Sequence, residues 1–339
     1  MTDGLRNKDA AAQRPHFRVS YLSEVEMDSS VQNTLSPEPI AAEAFHDGAA
    51  AAVRLTEIYE RNTEFLRGHF AAYLKVSDDP VFRQAPIIPT LAFGSAGLNA
   101  WRLGRAELAR ERITQMMASE NASYPYELAA AEYVSSIFHI CMREYEQAEV
   151  LAARALEFSE KNQIPQTIAF SRLFLGWARA HLGRPTEGIA LIRQGTAGLA
   201  EIGTRKEGTF QIPALAEAQA LAGTIAEALE TIEQALQPNR PEQPLLRSDA
   251  LRLRGELRLK LGRREEAEAN FREAIAQAQS RDSKALELRA TMSLARLLRD
   301  TGRRNEAHTM LAEIYNWFTE GFDTADLKDA KALLEELAT

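Results

Sequence analysis

The chain has 339 residues, 45% of them hydrophobic and 26% charged, with a formal net charge of −8. That acidic balance argues against nucleic acid as the main partner, because phosphate binding needs a basic face. The apolar content is ordinary for a chain that buries a core, and a single cysteine, Cys141, excludes an intramolecular disulfide and fits a reducing compartment.

Residues 1–40 are polar, with Pro37 and Pro39 near their end, and read as a disordered segment. The N-terminal stretch has no apolar run of the kind a secretory leader carries, and no window reaches the ~18 apolar residues of a membrane span. The expectation is a cytoplasmic chain that does not engage a membrane. From Ala41 the composition turns Ala- and Leu-rich with helical spacing, and residues 41–82 read as a degenerate helical hairpin, an N-terminal cap. Residues 83–322 hold six repeats. Within them QPNRPEQP at 237–244 reads as a stiff loop, since its prolines cannot all be helical. Residues 323–339 read as a closing helix, with Asp323 or Thr324 as N-cap and Leu327, Leu333, Leu334 and Leu337 as its apolar stripe. Strand signals are almost absent, so the fold class is all-α.

The repeats show in short turns: GRAELA, REYEQA, GRPTEG, GTIAEA, GRREEA and GRRNEA. Their first residues are Gly104, Arg143, Gly183, Gly223, Gly262 and Gly302, spaced by 39 or 40 residues. Seven residues before each turn stands a small residue: Gly97, Ser136, Gly176, Ala216, Gly255, Ala295. Five after the turn stands Ala or Gly, and four further on come Ile113, Ala152, Ile192, Ile232, Phe271 and Leu311. Two helices can approach closely only where side chains are small, so these columns predict antiparallel helix pairs. The turn glycine supplies the positive φ that ends the first helix, and the Ile/Phe column is expected to pack toward the next pair.

This column set resembles the tetratricopeptide (TPR) repeat, although the period is near 40 rather than the 34 of the standard unit. It implies a right-handed TPR-like solenoid of about six long repeats plus capping helices. The extra residues are expected to lengthen the helices or the loops between repeats. The run YNWFTEGFDTADLKDAKALLEEL, with LGRPTEG and AGTIAEA upstream, is similar to the C-terminal end of large bacterial signalling proteins. In those, a class III adenylate/guanylate cyclase or another effector precedes a STAND/AAA-type ATPase and a long TPR region. The likeness covers residues 45–339 and implies a regulatory or sensor role. It imports no catalysis: the chain has no Gly-Lys pair from which to build a P-loop, and the cyclase part lies outside the matched region. The chain looks like the TPR part standing alone.

Catalytic and metal motifs are missing. The six histidines show no metal-ligand spacing, and there is no GxSxG elbow. His139 and His181, near the ends of first helices, read mainly as helix-terminal polar residues. The carboxylates are expected on solvent-facing positions beside Arg and Lys. No enzyme, metal or cofactor is expected. The candidate site is the concave groove lined by the first helices. Leu98, Trp101, Tyr133, Ile137, Phe170, Leu173 and Trp177 would make one end aromatic. Arg252, Glu256, Lys260, Arg289, Arg296 and Arg299 would make the other mainly basic. Such a groove suits a protein or peptide partner with aromatic anchors and a carboxylate-rich segment. The leading expectation is a non-catalytic interaction module in cyclase/ATPase-type signalling. The alternatives are a small-molecule-sensing regulatory region, and a chain that passes for a cyclase by inheritance although the catalytic domain is absent.

Overall fold

The computed structural model describes residues 88–118, 125–202, 210–237 and 247–338. The segment expected to be disordered over 1–40, the hairpin expected over 41–82 and most of the 237–244 loop lie outside the described residues. Those described form thirteen helices and no strand. They are α1 (Ile88–Arg102), α2 (Ala106–Met117), α3 (Pro125–Cys141), α4 (Tyr145–Lys161), α5 (Pro165–His181), α6 (Pro185–Glu201), α7 (Gln211–Leu221), α8 (Ile225–Ala235), α9 (Arg247–Lys260), α10 (Arg264–Gln279), α11 (Lys284–Asp300), α12 (Arg304–Tyr315) and α13 (Ala325–Ala338). Twelve of them pair as antiparallel hairpins in a TPR-like solenoid, and α13 closes the array.

The long period has two sources. In α3 and α4 the helices themselves are long, 17 residues each. In α7 and α8 they shrink to 11 residues each, and the connections on either side take up the rest. All six turn residues have positive φ, from +62° at Arg143 to +84° at Gly223. The next residue donates its N–H to the carbonyl five places back, as Arg105 does to Ala100 at 2.8 Å and Arg303 to Leu298 at 2.8 Å. This six-to-one bond satisfies a carbonyl that the helix end would leave open.

The small columns are where backbones meet. A Cβ added at Gly176 would lie 2.6 Å from the carbonyl oxygen of Gly188, and one at Gly188 would lie 2.5 Å from that of Gly176. In the second repeat Ser136 fills the column and donates its hydroxyl to the Ala148 carbonyl at 2.9 Å. The Ile/Phe column, expected to pack toward the next pair, also contacts the first helix of its own: a Cβ at Gly255 would sit 2.5 Å from the Phe271 ring, and one at Gly97 would sit 2.8 Å from Ile113. The missing side chain on the first helix leaves a hole, and the large residue of the second fills it. Ile192, Ile232, Phe271 and Leu311 are fully buried there, each stabilising the fold by about 1.5–3 kcal/mol.

The first and last repeats touch. After α12 the chain buries Phe318 against the turn at Gly104. Glu320 accepts the Glu107 backbone N–H at 3.1 Å, in the first turn of α2, where a carboxylate is favoured by the exposed N–H groups. Arg110 pairs with Asp323 at 2.8 Å, and Arg143 with Asp329 at 2.6 Å and Asp326 at 3.2 Å. From α11, Arg289 donates to the Cys141 carbonyl and lies 5.0 Å over the Trp101 ring. The seam holds a cavity of only about 30 Å3, lined in part by Trp101, Met142, Phe318 and Leu327. Arg143 is thus the one non-glycine in the turn column and also a link of this clasp.

Two outcomes follow for stability and shape. Gly176→Ala sets a methyl against backbone and should cost about 1–3 kcal/mol. Gly183→Ala meets nothing within 4 Å and should cost only the left-handed φ, about 1–2 kcal/mol; urea midpoints that ranked the two the other way would contradict the close-packing account. Arg143→Glu would place a third carboxylate beside Asp326 and Asp329. Small-angle scattering should then show a larger radius of gyration than for the wild type; an unchanged radius would mean that the other seam contacts, Phe318, Glu320, Arg110–Asp323 and Arg289, hold it without Arg143.

Candidate ligand-binding groove

The inner face is built from the first helix of each pair. Tyr133 of α3 stacks on Phe170 of α5 at 5.2 Å, and Phe170 on Phe174 at 6.2 Å. Phe210, just before α7, stands edge-on to Phe174 at 5.7 Å and tilted to Trp177 at 6.5 Å. Aromatic pairs at these separations gain about 0.5–1.5 kcal/mol beyond their area. Tyr133 and Trp177 are buried and Phe170 is half-buried, so Phe170 is the member of the expected aromatic set with most surface to offer.

Beside this wall runs a polar belt. Glu217 of α7 accepts from the Trp177 indole N–H at 2.7 Å and meets His181 Nε2 at 3.0 Å. His181 stacks face to face on Tyr145 at 4.1 Å. Arg252 of α9 reaches Asp249 at 2.8 Å, Glu256 at 2.7 Å and Glu217 at 3.8 Å. Glu256 also accepts from the Ser293 hydroxyl at 2.9 Å, and Arg289 binds Asp326 of α13 at 2.7 Å. Burial opposes the charge on Glu217. The His181 hydrogen bond and charge, the Arg252 charge and the Trp177 N–H outweigh it and hold its pKa down at about 2. Burial likewise opposes the charge on Arg252, but Asp249, Glu256 and Glu217 hold it firmly protonated. Burial pushes the Cys141 thiol up to about 11, against the pull of Arg102 and Arg289, so it is an unreactive thiol at neutral pH.

The sequence-predicted residues divide accordingly. Tyr133, Phe170 and Trp177 come together. Trp101 and Arg289, expected at opposite ends, meet across the seam. Arg252 and Arg289 are not free cations: Asp249 and Glu256 of α9, with Glu217 of α7, neutralise Arg252, and Asp326 of α13 neutralises Arg289. The expectation of solvent-facing carboxylates therefore fails at Glu217 and Asp326, which turn inward to these arginines. Leu173 is fully buried and packs against Gly195 of α6, since that glycine admits it between the paired helices. Leu98 and Ile137 are buried in the core, Lys260 and Arg296 are exposed, and Arg299 pairs with Glu336 of α13 at 2.9 Å. Of the two histidines, His181 lies in the belt, while His139 bonds Glu144 at 2.5 Å. Glu217, Asp249, Tyr145 and Asp326 were not singled out from the sequence. Several of their links span one repeat, as Trp177–Glu217 does at 40 residues and Arg289–Asp326 at 37.

Among the described residues no cluster of His, Cys, Asp and Glu is placed to hold a metal ion. No described helix is long and apolar enough to cross a membrane.

No family model matches this sequence. An uncharacterized protein of Rhizobium meliloti (strain 1021) is 26% identical over 209 residues, which is 60% of this chain and 20% of that protein. The chain thus spans about a fifth of the length of the curated relative it matches. Among solved structures, a Rap protein complexed with Competence and Sporulation Factor superposes with a TM-score of 0.57 at 14% identity, over 87% of this chain and 77% of that one. A Signal Transduction ATPase with Numerous Domains protein with a tetratricopeptide repeat sensor, from Pyrococcus horikoshii, aligns over 81% of this chain and 43% of that one, at 17% identity and a TM-score of 0.49. The Rap likeness is one of fold: the chain is a TPR-like helical solenoid.

The belt gives a pH test. A carboxylate depressed in the folded state stabilises it fully above its ordinary value of 4.5, and that contribution is lost as pH falls toward 2. Glu217→Gln should therefore be less stable than wild type at pH 7. The gap should narrow as pH drops below 4.5 in urea titrations. A gap that stayed constant to low pH would show that shape, not charge, is what Glu217 contributes.

Proposed function

We propose that this chain is a non-catalytic interaction module that binds a peptide or protein segment along its inner face. The observation that carries this reading is the juxtaposition of the Tyr133–Phe170–Trp177 wall with the Glu217–Arg252 belt. Such a face offers stacking area and directional polar groups on rigid helices, which suits recognition of a chain. A regulatory role in cyclase/ATPase-type signalling, inside the cytoplasm of a bacterium, is supported by the resemblance of the C-terminal segment to such proteins. The Rap protein of like fold, complexed with Competence and Sporulation Factor, supports the idea that this architecture serves a binding role. An acidic partner segment would have to exchange with Glu256 or Glu217 for Arg252, so the aromatic wall carries affinity and the belt sets register.

The reading is tested by affinity capture with the intact chain, compared with Phe170→Ala and Arg296→Ala. Phe170→Ala should cut retention of the captured partner about tenfold, in line with loss of an aromatic anchor, and Arg296→Ala, an exposed position, should weaken it less. Equal retention by wild type and the folded Phe170→Ala chain, or turnover of ATP or GTP to a cyclic nucleotide, would refute it.

A further inference from the structure

Away from the inner-face belt, a second site lies where α10, α11 and α12 meet. A pocket of about 160 Å3, open on one side, is lined by Glu287, Glu313, Lys284, Trp317, Met310 and Ile314 among others. That is room for about five waters or a single side chain. Trp317 is 46% exposed, unlike Trp101 and Trp177, which are buried. A large aromatic left open beside a pocket marks a contact surface.

The charges lining it are not balanced. Lys284 is committed: its ammonium bonds Glu287 at 2.7 Å and lies 5.5 Å from the Trp317 ring centre. The second oxygen of Glu287 accepts from Gln279 at 2.8 Å. With that pair satisfied internally, Glu313, on the exposed side of α12, leaves the mouth negative. With Glu287 held by Lys284, an anion would still meet the Glu313 carboxylate and the electron-rich face of an indole. A cation with an apolar stem meets the reverse: Met310 and Ile314 for the stem, Glu313 and the indole for the head. A guanidinium fits better than an ammonium, because its plane stacks on the ring.

We propose that this pocket is a binding site for a basic side chain, an arginine foremost, presented by a partner. The inference does not depend on what occupies the inner face, and its test needs no partner. The probe is N-acetyl-arginine amide, titrated into the 15N-labelled full chain, with the three tryptophan indole signals followed by NMR and Trp317→Phe used to assign them. The Trp317 signal should shift saturably, with a dissociation constant on the order of millimolar, as so few atoms allow. The Trp101 and Trp177 signals should stay put. Glu313→Gln, an exposed change that leaves the fold intact, should weaken binding by up to about fivefold, the upper range of one exposed ion pair. No saturable shift, an equal shift with N-acetyl-leucine amide, or an affinity unaltered by Glu313→Gln would each overturn the proposal.

Discussion

The constraint on which the structure rests is the close approach of backbones inside each helix pair. Where Gly176 faces Gly188, a single added methyl on either would reach the carbonyl oxygen of the other. Glycine in a helix costs about 1 kcal/mol relative to alanine, and here that cost is offset by packing that no larger residue permits. The consequence propagates. A large residue one turn on, such as Phe271, drops into the hole left by Gly255, so each pair is locked in register by its own side chains. Pairs that are locked internally behave as rigid units, and the stacking of rigid units sets where the first helices point.

Those first helices carry polar side chains into a half-buried space, and this needs an account. A buried ion pair is weak evidence for stability, because desolvation takes back much of the attraction. The belt answers this by connectivity rather than by any single pair. Arg252 is shared among Asp249, Glu256 and Glu217, and Glu217 among Arg252, His181 and Trp177. Removing one member strands the others, so the belt resists change more than it adds stability. The same logic links repeats in series: α5 to α7 through Trp177 and Glu217, α9 to α11 through Glu256 and Ser293, α11 to α13 through Arg289 and Asp326.

How much of this was legible in the sequence depends on the range of the interaction. The hairpins were, because the turn, the small residue and the Ala/Gly column all lie within twenty residues of one another and recur six times in register. The belt was partly legible. Glu217 lies 40 residues after Trp177 and Asp326 lies 37 after Arg289, so complementary residues one period apart were there to be matched. Read one helix at a time, those carboxylates look like solvated neighbours of nearby arginines. The clasp was not legible. Glu320 caps the helix that holds Glu107, 213 residues away, and Arg143 meets Asp329 across 186. Whether such positions meet depends on the small rotation between successive pairs, summed over six of them, and no local column encodes that sum.

The clasp changes what the groove can be. An open array would present an aromatic end and a basic end to an extended partner. With Arg289 seated on Trp101 and donating to the Cys141 carbonyl, those two ends are one place, and its positive charge is already spent. The surface left for recognition is therefore not the cationic strip that counting arginines suggests. In the proposed reading it comprises Phe170 and, separately, Trp317 with Glu313 near it. Each lies next to a saturated network that holds the surrounding helices still, and a contact made on fixed helices forfeits little conformational entropy. In that reading the buried charge serves recognition indirectly, by fixing the exposed groups beside it in place.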